Sequence, residues 1–171
     1  MSRAGRGADE GAAGRILIIG IGNALRSDDG VGPRVATLLV DDPRLRGVEV
    51  LARHQLTPEL AVDMAAASLL VLLDAGVDGA PGEISVRRVE AANEAADDPP
   101  GLGATSHHVG VDELLGLAEE LGGHRPRAVV VSIGVASMEV GEGLSPAVAA
   151  ALPAVVEVVA KLITDRGEDP S

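Results

Sequence analysis

Apolar positions along this chain fall into two spacings. Short, nearly continuous runs occur at Ile16–Ile19, at Val48 to Ala52, at Ser68 to Asp74 (SLLVLLD) and at Arg127 to Ile133 (RAVVVSI). Runs this short, rich in branched residues and ended by glycine or polar positions, suit strands buried on both faces. A further strand is expected over Glu83 to Val89, after a loop from Gly76 to Gly82. Between the runs, apolar residues recur at three and four. Val31, Val35, Leu38 and Leu39 predict a helix that begins near Gly30 and ends before Pro43; Thr57-Pro58-Glu59 opens a second that runs to about Ala66. A hydroxyl, a proline and an acid in that order are a helix-start signal. Val111, Leu114, Leu115, Ala118 and Leu121 form one stripe of a third helix. Ser145-Pro146 starts a last helix carrying Val148, Leu152, Val155, Val156, Val159, Leu162 and Ile163, with a kink expected at Pro153.

Strands alternating with helices imply βαβ units. The expected architecture is a three-layer α/β/α sandwich around a mostly parallel five-stranded sheet. The link from the third strand to the fourth is too short for a helical crossover, so one strand is expected to run antiparallel. A single α/β domain is expected over 15–164, flanked by a flexible N-terminal tail at 1–14 and a C-terminal tail at 165–171, with an irregular surface loop at 91–103 (AANEAADDPPGLG).

Composition narrows the chemistry. There is no cysteine among the 171 residues, which excludes disulfides, thiolate ligands and a cysteine nucleophile. A formal charge of −12, with Lys161 the only lysine, argues against nucleic-acid binding. Phe, Tyr and Trp are all absent, so base-stacking platforms are missing and core and partner surface must be aliphatic. The N-terminus lacks the apolar segment of a signal peptide, and no apolar run is expected to approach the ~18 residues of a membrane span. A cytoplasmic protein without membrane contact is expected, acting as a monomer.

The densest stretch is Ile16 to Val35, ILIIGIGNALRSDDGVGPRV. Gly20 and Gly22 approach the dinucleotide fingerprint, but its third glycine position is Leu25, and Asp28-Asp29 would repel a phosphate there. The acids suit a cation better. In an open α/β sheet ligands gather beyond the carboxyl ends of the strands. Asp29 follows the first strand, Asp74 closes the third, and His107 stands before the third helix, a set of oxygen and nitrogen donors suited to a borderline divalent metal. Each has a structural alternative: Asp28 or Asp29 as a helix cap, Asp74 as an Asx turn, His107 as a capping or solvated residue. His54, in the run His54 to Leu60 (HQLTPEL), follows the second strand on the same edge and is a candidate ligand contact. No Gly-x-Ser-x-Gly elbow is present.

Taken in order, ILIIGIGNALRSDDGVG, HQLTPEL, LLVLLDA, SHHVGVDELL and GVASMEVGEGLSP resemble the blocks of the hydrogenase maturation endopeptidases, over roughly residues 15–163. The resemblance implies a phosphorylase/hydrolase-like fold and an endopeptidase that removes the C-terminal extension of a [NiFe] hydrogenase large-subunit precursor after nickel insertion. It also implies that Asp29, Asp74 and His107 are the catalytic and metal-contacting residues, the nickel being supplied by the precursor rather than permanently bound. His107 is preferred to His108 by an ungapped match to Gly110-Val111, and Asp29 stands where some members carry glutamate. His54, Gln55 and Thr57 would shape the precursor-binding edge. Two other activities fit the same residues: a metallohydrolase with its own ion, and a chaperone-like module that holds the precursor without cutting it.

Overall fold

The first apolar run forms β1 (Ile16–Ile21), buried from Leu17 onward. The computed structural model describes residues 14–90 and 110–165. A turn of 3-10 helix (Ser27–Gly30) leads into α1 (Val31–Val40), followed by β2 (Glu49–Arg53), α2 (Leu60–Ala65), β3 (Leu69–Gly76) and β4 (Ile84–Val89). Beyond the undescribed span come α3 (Val111–Gly122), β5 (Arg127–Gly134) and α4 (Pro146–Thr164). The sheet order is β2-β1-β3-β5-β4. All pairings are parallel except β4 with β5, which is antiparallel, as the short β3–β4 link requires.

Side chains on successive strand positions point to opposite faces, so each apolar run feeds two cores. Leu17, Ile19, Leu70, Leu72 and Val130 face one core with Leu60 and Met64 of α2 and Leu114, Leu115 and Ala118 of α3. Ile18, Val71, Leu73, Val129 and Val131 face the other, with Val31, Val35 and Leu39 of α1 and Val148, Val155 and Val159 of α4. The result is the expected α/β/α sandwich. Right-handed crossovers account for the layering: β1 to β2 and β2 to β3 advance in opposite directions along the sheet, so α1 and α2 fall on opposite faces.

Two expectations need correction. Leu121 is off the α3 stripe and 56% exposed. The periodic positions 111, 114, 115 and 118 continue to 122, where the absence of a side chain lets Gly122 meet the backbone of Ala65; a Cβ there would lie 2.6 Å from the Ala65 carbonyl oxygen. Second, α4 runs for 19 residues with a mean hydropathy of 1.9 over its most apolar window, long and apolar enough to cross a membrane by length and composition. A count of uninterrupted apolar residues missed this because Glu157 and Lys161 break the run. Its Val148, Val155, Val159, Ala160 and Ile163 are nevertheless buried within the fold. Pro153, where a kink is expected, lies inside α4, which runs from Pro146 to Thr164. It sits on the exposed side, where water can meet the Ala149 carbonyl that the ring leaves without a donor. The expected tails at 1–14 and 165–171 (apart from Gly14 and Asp165), the 91–103 loop, His107 and His108 lie outside the described residues.

Candidate active site at the β1–β3 crevice

The chain leaves β1 for β2 on one side and returns to β3 on the other. That reversal opens a crevice at the carboxyl ends of β1 and β3, where open α/β sheets bind ligands. Gly20 is in register with Leu73, which puts Asp74 one step beyond the aligned end of β1. The 3-10 turn bearing Asp28 and Asp29 packs against β3.

Close packing explains the glycines. A Cβ on Gly32 would lie 2.4 Å from the Ile21 carbonyl oxygen and 2.5 Å from that of Leu73, so α1 starts directly on the β1 and β3 backbones. Gly22 has a φ of +141°, and a Cβ there would lie 1.8 Å from the Asp29 carbonyl oxygen. These contacts draw the acidic turn onto the sheet edge. Leu25, at the third fingerprint position, is exposed.

The two acids do different jobs. Asp28 is fully buried, with 0% exposure. Its carboxylate accepts hydrogen bonds from the backbone N–H groups of Ala136 (2.8 Å), Ser137 (3.2 Å) and Ser145 (2.6 Å) and from the Ser145 hydroxyl (2.8 Å). Burial pushes this carboxyl up, but the four hydrogen bonds outweigh it and hold Asp28 below the ordinary aspartate value. Asp29 is half-buried, and its Oδ2 accepts from the Asn23 N–H at 3.0 Å. Neither acid caps α1 through its side chain. The Asn23 Oδ1 in turn accepts from the Leu25 N–H at 2.9 Å, which fixes the turn that presents the Asp29 carboxylate.

Asp74 lies inside β3 rather than at its end; the strand continues through Ala75 and Gly76 because Asp74, Ala75 and Gly76 pair with Ser132, Ile133 and Gly134 of β5. It is half-buried, and Oδ1 accepts from the Ala75 N–H at 2.8 Å, a bond to the next residue rather than an Asx turn. His54 and Gln55 are exposed just beyond β2, whose last residue is in register with Ile21. The Gly22 N–H donates to the Arg53 carbonyl at 3.0 Å, tying this edge to the glycine turn. Thr57 is half-buried; the Glu59 N–H first, and the Thr57 hydroxyl second, hold the Glu59 carboxyl below its ordinary value. Among the described residues no three His, Asp or Glu side chains group closely enough to hold a metal. Asp29 and Asp74 therefore supply at most two donors of the expected set, and His107 lies outside the described residues.

Sequence reasoning counted the segment from Ala136 to Ser145 among the family blocks but gave it no part in the site, where it bonds the outer side of the acidic turn. Arg26 pairs with Gly141 as a single parallel bridge, the Ser27 N–H donates to the Gly141 carbonyl (2.8 Å), and the Arg26 Nε donates to the Met138 carbonyl (3.2 Å). The available signal was Ser145-Pro146, which reads as a helix opening; its hydroxyl caps nothing in α4 and bonds Asp28 instead.

An open, mainly parallel sheet with two acids at its reversal point defines an α/β enzyme architecture. The hydrogenase maturation protease family model matches residues 34–162. The hydrogenase 2 maturation protease of Escherichia coli (strain K12) is 31% identical over 155 residues, covering 86% of this chain and 90% of the relative. Among solved structures, the hydrogenase maturating endopeptidase HybD from E. coli superposes with a TM-score of 0.71 at 29% identity, covering 91% of this chain and 94% of the other. The [NiFe] hydrogenase maturation protease HybD from Thermococcus kodakarensis gives 0.69 at 26% identity, covering 87% and 99%. The chain belongs to the hydrogenase maturation protease family. It is a hydrolase, an endopeptidase whose substrate is a hydrogenase precursor.

Proposed function

We propose that the protein removes the C-terminal extension of a [NiFe] hydrogenase large-subunit precursor once nickel is in place, and that Asp29, Asp74 and His107 read that nickel. The observation carrying this reading is the convergence of the Asp29 turn and β3 at one crevice, with the Asp29 carboxylate oriented by the Asn23 N–H. Carboxylate oxygens and an imidazole nitrogen suit a borderline divalent ion held partly by another protein. Nickel belongs to the substrate here, and completing its coordination would hold the scissile peptide in the crevice. Positioning of that kind supplies a large share of catalytic effects. The attacking water is activated either by the precursor's nickel or by one of the carboxylates. His54, Gln55 and Thr57 border the path along which the precursor approaches. The protein works as a monomer and keeps no resident metal.

The test is cleavage of purified precursor, followed by mass, with and without nickel. Nickel-loaded precursor is expected to lose its extension and nickel-free precursor to stay intact. Asp29→Asn, Asp74→Asn and His107→Ala are each expected to lower kcat/KM by about a hundredfold or more. Equal cleavage of both precursor forms would remove the nickel-reading role, and full activity in any of the three variants would remove that residue from the site.

A further inference from the structure

The acidic turn is gripped from two sides. On its inner side the Asp29 backbone lies against Gly22, and the Asp29 carboxylate meets the Asn23 N–H. On its outer side Asp28 gathers four donors from Ala136, Ser137 and Ser145, the last of which precedes α4. Between them Ser27 adopts a φ of +49°, a left-handed conformation that costs energy for a residue with a side chain and persists only where its surroundings impose it. Its N–H reaches the Gly141 carbonyl and its hydroxyl donates to the Glu139 carbonyl at 3.0 Å. The Asp29 N–H then bonds back to the Arg26 carbonyl at 3.1 Å, so Asp29 moves with the turn.

We infer that Asp28 is a positioning residue for peptide cleavage: by locking the 136–145 segment over the strained turn, it holds the Asp29 carboxylate on the Asn23 N–H and so fixes its aim into the crevice. The inference rests on the proposed role of Asp29. Ser145 supports the same lock. Its side chain sits where a serine ordinarily accepts from the first turn of a helix, yet the hydroxyl donates to Asp28, and the Ser145 N–H at the positive end of α4 makes the shortest of the four bonds.

Asp28→Asn keeps the size of the side chain while placing an NH2 group against donors. Two readouts decide the matter: cleavage of nickel-loaded precursor at a temperature where the variant is folded, and amide hydrogen exchange of the free protein by NMR. The expected result is a kcat lowered by about tenfold or more, with KM within about twofold of the parent. Exchange should quicken at Asn23 as well as at Ala136, Ser137 and Ser145. A residue that only tied the outer segment down would leave Asn23 protected. Ser145→Ala, which deletes one bond of the four, is expected to shift kcat and Asn23 exchange in the same direction by less, and it serves if Asp28→Asn does not fold. Parental kcat, or parental exchange at Asn23, in a folded variant overturns the inference. Failure of the parent protein to cut nickel-loaded precursor would overturn the proposed function instead, and Asn23 exchange alone would then decide whether Asp28 positions Asp29.

Discussion

Asp42 shows how a surface carboxylate can carry a pH-dependent part of the stability. It precedes the short turn Pro43–Leu45 and accepts from the Arg44 N–H at 2.9 Å, while the Arg44 guanidinium donates to both of its oxygens and to Glu157 of α4 at 2.9 Å. The Arg44 side chain first, and its backbone N–H second, lower the Asp42 carboxyl to about 2. A folded value below the unfolded one means that the native state binds fewer protons, so the stabilisation is complete above about pH 4 and fades as pH falls toward 2. Urea unfolding at a series of pH values should therefore find the parent more stable than Asp42→Asn at pH 6, with the two converging by pH 2. A constant gap would show that the charge is not responsible. Such pairs were not legible in the sequence, because Glu157 lies 113 positions from Arg44. The same holds for Asp28 and Asp29: adjacent, chemically identical residues are told apart only by donors 108 to 117 positions away. The candidacy of Asp29 and Asp74 needed less, since Asp29 follows the first apolar run and Asp74 ends the apolar residues of the third, although β3 itself continues to Gly76.

Elements were more legible than side-chain roles, for a physical reason. A strand buried on both faces must be apolar throughout, so Leu69 to Leu73 announces itself, and the antiparallel β4 followed from a link too short for a helix. Helix faces were read less sharply near their ends, as Leu121 shows. One face of α3 is buried over Leu114, Leu115 and Ala118, all at 0% exposure, while Leu121 stands in solvent beyond it. Leu114→Ala is expected to cost about 2–5 kcal/mol of unfolding free energy through lost burial and the cavity left behind. Leu121→Gln should stay within about 0.5 kcal/mol of the parent. Chemical denaturation of both variants checks this, and a comparable loss in Leu121→Gln would mean that its side chain is covered in solution. Strand order belongs to neither scale: the reversal that places β3 beside β1 arises from crossovers, which the hydropathy pattern does not record.

At the scale of the whole molecule the dominant quantity is charge. The chain carries 26 acidic and 14 basic side chains, a formal net charge of −12 at pH 7 and an isoelectric point near 4.6. A compact body with this excess repels itself, and the repulsion opposes folding because the unfolded chain spreads the same charges farther apart. Local pairs such as Arg15 with Glu49 and Arg125 with Asp112 relieve it in places, but the cations are too few to neutralise the surface. Added salt shortens the range of the repulsion, from about 30 Å at 0.01 M to about 10 Å at 0.1 M. Raising sodium chloride from about 10 mM to about 300 mM at pH 7 should therefore raise the melting temperature by a few degrees, roughly the effect of 1 kcal/mol in a domain of this size. The same titration near pH 4.6 should give no increase, since the long-range repulsion has vanished and only attractive pairs remain to be screened. Calorimetry in the two buffers separates this from general salt effects on apolar burial, which would raise the melting temperature at both pH values.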